Sequence, residues 1–129
     1  MTIKTFFTII AVLALVHGIG FVLIPEQVAA SYGMATSPSA VLTGRLFGAA
    51  LLALGLIFWF ARDNSFESVR GVLIATGIAD TVGLVVVVMG TMAGTMNSMG
   101  WVAAFIYLFG AAGCGYFMMA RSPQPARSP

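Results

Sequence analysis

The sequence predicts an all-α integral membrane protein, an antiparallel four-helix bundle, on three observations. The 129-residue chain is 60% hydrophobic and only 8% charged, far outside the range of soluble globular domains. Its apolar runs reach about 20 residues, the length of a bilayer span. These runs are continuous and lack the alternating polarity of barrel strands, so helices, which satisfy their own backbone hydrogen bonds in lipid, are the expected spans.

Proline and charged residues set the limits of the spans. The first apolar run stops at Pro25-Glu26, where proline and charge both oppose continuation. The second follows a Ser-Pro-Ser stretch suited to helix initiation and ends at Arg62-Asp63. The remaining segment, 121-129, is expected to be a disordered cytoplasmic tail. The predicted spans cover about residues 5-24, 39-61, 68-89 and 100-120.

A cleaved signal peptide is the alternative interpretation of the first run. Lys4 would be its basic region, and the small residues at 28-30 would be its cleavage site. The apolar run is longer than the usual signal core of about 7–15 residues, which favours a retained span.

Basic residues near the span ends predict the orientation. They all fall on one side of the predicted bundle, whereas the loops on the other side contain Glu26 and no basic residue. By the positive-inside rule both termini of this multi-pass protein are expected in the cytoplasm. The basic residues concerned are Lys4, Arg62, Arg70, Arg121 and Arg127.

Four polar side chains are predicted at similar depth: His17, Arg45, Asp80 and Tyr107. At about 1.5 Å per residue they lie roughly 9 to 15 Å below the outer interface. A charge facing lipid at mid-depth costs about 2.5 to 3.5 kcal/mol on insertion scales, so the bundle interior is the expected location. We predict an Asp80–Arg45 ion pair with His17 and Tyr107 in the same layer. The alternatives are that Arg45 snorkels to the interface and that His17 and Tyr107 are ordinary packed residues.

Small residues recur every fourth position along the third span, at Gly71, Ala75, Ala79 and Gly83. Such stripes allow helices to approach closely in lipid. We therefore expect the surface beside Asp80 to contact other helices.

The chain lacks the motifs of several membrane enzymes. Its single cysteine, Cys114, leaves no intramolecular disulfide and no Cys-x-x-Cys pair. One histidine cannot supply two axial haem ligands, and no phosphate-binding glycine loop is present. The net charge of +2 reflects membrane orientation rather than a nucleic-acid surface. We expect no cofactor and no nucleic-acid partner.

The loop after the third span is rich in methionine. Thioether sulfur favours Cu(I), which makes Met92, Met96 and Met99 weak candidates for metal ligands. No histidine or cysteine adjoins them, and methionine also fills irregular gaps, so we expect no metal site.

A resemblance to known proteins is confined to the segment from Gly18 to Asp63. Pro25 ends the first span, the pair Tyr32-Gly33 lies in the outer loop, and Arg45-Leu46-Phe47-Gly48 opens the second span. In these features the chain resembles small bacterial four-span membrane proteins of unknown function, loosely the DoxX-like group. The resemblance implies a four-helix bundle in a bacterial inner (plasma) membrane, without a settled activity.

Two classes of function fit these features. The sequence favours a non-enzymatic accessory or interaction subunit, or a homo-oligomer, whose polar layer fixes its packing against itself or other subunits in the lipid bilayer. The alternative is a binder of a quinone-like or lipid-like ligand, a membrane enzyme or a small transporter. In that case Asp80 and His17 would exchange protons while Arg45 and Tyr107 orient the head group, and a pocket should border His17 and Asp80.

Overall fold

The computed structural model describes residues 1–120, which form five helices and no strand. Four of these helices are long and apolar enough to cross a membrane, which confirms the predicted all-α membrane fold. Each long helix begins and ends close to its predicted span, and the largest difference is at the end of the third, Met92 against the predicted Met89. The predicted tail, 121-129, lies outside the described residues. The helices are α1 Ile3–Leu23, α2 Pro25–Ser31, α3 Pro38–Ala61, α4 Phe66–Met92 and α5 Gly100–Ala120.

The short helix α2 was not predicted from the sequence. Pro25 ends α1 as expected, since it has no N–H to continue the hydrogen-bond ladder, but the same residue also occupies the first turn of α2. Ile24 is both the C-cap of α1 and the N-cap of α2. The side chain of Pro25 is buried, so α2 folds back against the bundle instead of leaving it.

The initiation of α3 follows the predicted pattern. The Ser37 hydroxyl accepts a hydrogen bond from the Ala40 amide at 3.2 Å, and Pro38 takes the first helical position. A side-chain oxygen at this position satisfies one of the free amides of the first turn. The Ser-Pro-Ser stretch therefore fixes where the second long helix begins.

The long helices pack as two antiparallel hairpins. The first hairpin consists of α1 and α3, and it is held by very close backbone contact at Gly18 and Gly48. A methyl group on Gly48 would lie 2.8 Å from the Gly18 carbonyl oxygen and 2.9 Å from the Val22 amide nitrogen. The second hairpin consists of α4 and α5, in which small residues of one helix accept larger side chains of the other. Between the hairpins, α1 contacts α5.

The two hairpins join in a hydrophobic core at one end of the bundle. The Phe7 and Phe58 rings meet edge to face with centroids 4.8 Å apart, and Phe6 packs on Phe117 at 5.4 Å. This core draws on all four long helices, because Val69 and Leu73 of α4 belong to it as well. Offset and edge-to-face ring packing gives the core a defined geometry that aliphatic contacts alone would not.

This end of the bundle also carries Lys4, Arg62 and Arg70, and we call it the basic end, defined by these three residues. The Lys4 ammonium lies 2.6 Å from the Asp63 carboxylate, and both side chains are exposed. The hydrogen bond from Lys4 is the main reason that the pKa of Asp63 lies below its usual value. The ion pair places the start of α1 beside the turn between α3 and α4, as alternating antiparallel spans require.

At the opposite end, two loops are joined by Asn97. Its side-chain amide donates to the Ser31 carbonyl at 3.0 Å, and its backbone amide donates to the Tyr32 carbonyl at 2.8 Å. Its side-chain oxygen accepts from the Met99 amide at 2.9 Å. Gly33 has φ +70° and lies against the Asn97 side chain, so a side chain at Gly33 would be strained and crowded. We call Ser31, Tyr32, Gly33 and Asn97 the Asn97 clasp.

Candidate functional site

A cavity of about 600 Å³ lies between the two hairpins. Most of the side chains that line it are apolar, among them Phe21, Phe47 and Ile106. Ligand sites in proteins have volumes of roughly 300–1,000 Å³ and are mostly apolar with a few polar groups, so this cavity has the size and the character of one.

The cavity runs from the core at the basic end to the Asn97 clasp. Its lining includes Ile10 and Leu54 near the core, and Met34, Thr36 and Met96 at the clasp. Along α1 the lining residues extend from Ile10 to Phe21, which at 1.5 Å per residue is about 16 Å. The space is therefore elongated roughly along the helix axes.

Asp80 lines this cavity from α4 and is half-buried. Its carboxylate lies directly against Gly110 of α5, where the absence of a side chain leaves room for it. It is close enough to Tyr107 and Cys114 of α5 to interact with them electrostatically. Within the described residues its side chain has no hydrogen bond and no ion pair. The carboxylate is therefore available to a ligand.

Two tyrosines line the cavity, one near the Asp80 carboxylate and one at the clasp. Tyr107 lines the cavity from α5, and its ring rests on Gly83 of α4, so a methyl group there would lie 2.7 Å from the Tyr107 Cδ1 atom. Tyr32 lines the cavity from the clasp, and it interacts electrostatically with Tyr107. Burial raises the pKa of Tyr32, so its hydroxyl stays protonated and can donate a hydrogen bond.

His17 lines the cavity from α1. Its Nδ1 lies 2.8 Å from the Leu13 carbonyl oxygen. Because a carbonyl only accepts, Nδ1 is the donor, and in the neutral ring Nε2 is then a hydrogen-bond acceptor. No ion pair joins His17 to Asp80 in the part of the chain that the structure describes.

The helix register explains why His17 and Asp80 do not pair. Asp80 is level with Gly110 on α5, and Gly113, one turn nearer the basic end, contacts Phe6 of α1. Asp80 therefore lies near the level of Ile10, about two turns or roughly 10 Å from His17 along the bundle. The two groups occupy different depths of one cavity.

Arg45 does not join the other three residues. Its side chain is exposed and does not line the cavity, and it forms no ion pair among residues 1–120. The predicted Asp80–Arg45 ion pair is therefore wrong. Two features separate them. Gly44 lies against Phe21 and Pro25, so Arg45 is near that level of α1, roughly 20 Å along the bundle from Asp80. Gly44 also faces the cavity, and successive residues of a helix point about 100° apart, which turns Arg45 away. His17, Asp80 and Tyr107 thus line one cavity, but His17 does not share the level of Asp80, so the four residues do not form the predicted single layer.

Two other features of the sequence occupy unexpected places. The small-residue stripe is exposed at Gly71, Ala75 and Ala79, and of its four members Gly83 is the one that packs against a neighbouring helix. Of the candidate metal ligands, Met92 and Met99 are exposed, whereas Met96 lines the cavity. No group of three or more His, Cys, Asp or Glu residues in the described chain is arranged to hold a metal ion.

Sequence reasoning missed the contribution of the loops. Tyr32, Met34 and Thr36 line the cavity, although none was among the predicted site residues, and Met96 lines it too, although it was predicted only as a weak candidate for a metal ligand. The pair Tyr32-Gly33 was the available signal, because a glycine following an aromatic residue in a loop suggests a left-handed turn that fixes the ring's position. Comparison with known proteins adds no further guide to the site: no family model, curated protein or solved structure matches this chain.

Proposed function

We propose that the protein is a membrane-embedded binding protein that holds an elongated apolar ligand with one polar group in the cavity between its hairpins. The observation that carries the proposal is the cavity itself, about 600 Å³ of mostly apolar space with an unpaired carboxylate. Random loose packing does not explain it, because the same four helices pack tightly at the basic end. The structure therefore favours the binding function over a purely structural polar layer.

The cavity also suits an occupant that enters from the membrane. Its walls are α1 and α3 on one side and α4 and α5 on the other, and the contact between the two hairpins is mainly at the core. With Lys4, Arg62 and Arg70 on the cytoplasmic side, as the positive-inside rule indicates, the cavity lies in the outer half of a bacterial inner membrane. Ligands that partition into lipid would reach it without crossing water.

The first experiment fills the cavity and measures binding. Dodecanol, a neutral amphiphile, is titrated onto the purified protein, and one-to-one adducts are counted by native mass spectrometry. We expect the wild-type protein to form the adduct and Ala103→Trp to lose it, because Ala103 lines the cavity and an indole would occupy that space.

Ala112→Trp is the matched control, since Ala112 lies on the same helix, is exposed and does not line the cavity. Equal binding to the two tryptophan variants, or no adduct with the wild-type protein, would contradict the proposal. The accessory-subunit interpretation makes a different prediction, which is copurification with a second membrane protein or a defined oligomer while dodecanol forms no adduct.

A further inference from the structure

The charge distribution of the cavity restricts the chemistry of its ligand. Asp80 contributes a carboxylate to the lining, and no lysine or arginine of the described residues lines it. Arg45 of α3 is exposed, lies nearer the clasp end than Asp80 and does not line the cavity. We infer that the ligand is a lipophilic amine whose ammonium group pairs with Asp80, an inference that rests on the proposed binding function.

The polar groups that line the cavity favour a ligand that donates hydrogen bonds. An ionised Asp80 can only accept, and Nε2 of a neutral His17 also accepts, because Nδ1 is already bonded to Leu13. Tyr107 and Tyr32 can turn their hydroxyls to suit either role. A quinone-like head group, which offers carbonyl acceptors, would place lone pairs against lone pairs at Asp80 and at Nε2 of His17, whereas an ammonium group supplies three donors.

The energetics favour a charged partner over a neutral one. An unpaired carboxylate inside a membrane span is costly, and pairing it with a cation recovers much of that cost in a site with little water. A carboxylate or phosphate on the ligand would meet a like charge at Asp80, and no lysine or arginine among residues 1–120 lines the cavity to offset it. The cavity should therefore select against anions.

The position of Asp80 explains why the rest of the ligand should be apolar. The carboxylate lies at the basic-end half of the cavity, near the level of Ile10, and the lining from there toward the clasp includes Phe21, Phe47 and Ile106. An amine held at Asp80 would extend an apolar body along these side chains, filling the elongated space. A small hydrophilic cation would leave the apolar lining without contacts, and a neutral hydrocarbon would leave the Asp80 carboxylate unpaired.

The test compares three ligands that share one alkyl chain. Dodecylamine, dodecanol and dodecanoate are titrated onto the full-length wild-type protein and onto Asp80→Asn, and dissociation constants are obtained by native mass spectrometry. We expect dodecylamine to bind the wild type at least about tenfold more tightly than dodecanol, the gain of one charge-assisted hydrogen bond, and dodecanoate to bind least. Asp80→Asn should remove the advantage of the amine while dodecanol binding, which reports an intact cavity, is unchanged.

Asp63→Asn is the matched control, because it removes a carboxylate by the same change at an exposed position outside the cavity. It should leave the preference for the amine intact. Dodecanoate binding as well as dodecylamine, or an amine preference that survives in Asp80→Asn, would overturn the inference while leaving the binding function standing. If Asp80→Asn does not fold, the ranking of the three ligands on the wild type decides. Failure of all three to bind would overturn the binding function and this inference with it.

Discussion

Asp80 and Arg45 show that depth in the membrane and direction around a helix are separate properties of a residue. Depth follows from counting residues at a constant rise from the predicted span ends, but packing register changes the result: Gly44, next to Arg45, contacts Phe21 and Pro25, whereas Asp80 lies near the level of Ile10, roughly 20 Å nearer the basic end. Direction depends on which face of the helix meets its neighbours. Gly44 faces the cavity and Arg45, one residue later, faces outward. The sequence contains both residues, but neither the packing register nor the helix rotation that separates them.

This difference predicts that Asp80 and Arg45 are energetically independent. In a double-mutant cycle with Asp80→Asn and Arg45→Gln, the changes in the free energy of unfolding should add to within about 0.3–0.5 kcal/mol, as they do for residues without shared partners. Unfolding in mixed detergent micelles, followed by far-ultraviolet circular dichroism, supplies the four free energies.

Gly83 and Tyr107 are the positive control for this cycle, because the Tyr107 ring rests directly on Gly83. Gly83→Ala alone crowds the ring, and combining it with Tyr107→Leu should relieve the crowding, which gives clear non-additivity. A coupling of more than about 1 kcal/mol between Asp80 and Arg45 would contradict the structure and support the ion pair that the sequence predicted.

At the scale of the helices, the sequence predicted the features that depend on composition and missed those that depend on contact between helices. The four long helices lie where continuous apolar runs demand them, since each run is the length of a span. Helix α2 was missed because PEQVAAS has no apolar run and its proline was interpreted only as an end to α1. The pairing of α1 with α3 was also out of reach, because the close approach at Gly18 is evident only when Gly48 is placed beside it.

The α1–α3 contact should be intolerant of even one added methyl group at Gly48. That methyl would meet backbone atoms of α1, the Gly18 oxygen and the Val22 nitrogen, which cannot rotate away as a flexible side chain would. We expect Gly48→Ala to lower the free energy of unfolding by about 1–3 kcal/mol, the usual cost of overpacking. Detergent-induced unfolding measures the change.

Gly71→Ala is the control for this variant. Gly71 also lies within a long helix, but a methyl group on it would meet nothing within 4 Å. Its free energy of unfolding should match that of the wild type or rise slightly, because alanine restricts the unfolded chain more than glycine does. Equal destabilisation by the two substitutions would show that α1 and α3 are not in backbone contact.

The whole molecule is held at its two ends and open between them. The phenylalanine core joins the hairpins at the basic end, and the Asn97 clasp joins their loops at the other. The cavity lies between these two attachments, so a ligand can be enclosed without separating the core. Of the two attachments the clasp is the weaker, because it consists of a few hydrogen bonds among exposed groups, whereas the core buries large side chains from four helices.

The clasp should therefore control how often the loop end of the cavity opens. Asn97→Asp removes the donor to the Ser31 carbonyl but keeps the oxygen that accepts from the Met99 amide at the start of α5. The substitution therefore tests the clasp without removing the hydrogen bond at the start of the helix. Losing a hydrogen bond worth about 1 kcal/mol predicts roughly fivefold faster amide exchange in residues 31–34 and 96–98. Exchange in the core segment, residues 6–11, should not change. Asn64→Asp makes the same substitution in the loop at the basic end, where the Asn64 side chain has no hydrogen bond within residues 1–120, and it should leave both regions as in the wild type. Hydrogen–deuterium exchange with mass spectrometry resolves these segments, and faster exchange throughout the Asn97→Asp protein would mean that the clasp supports the whole bundle instead of one end of the cavity.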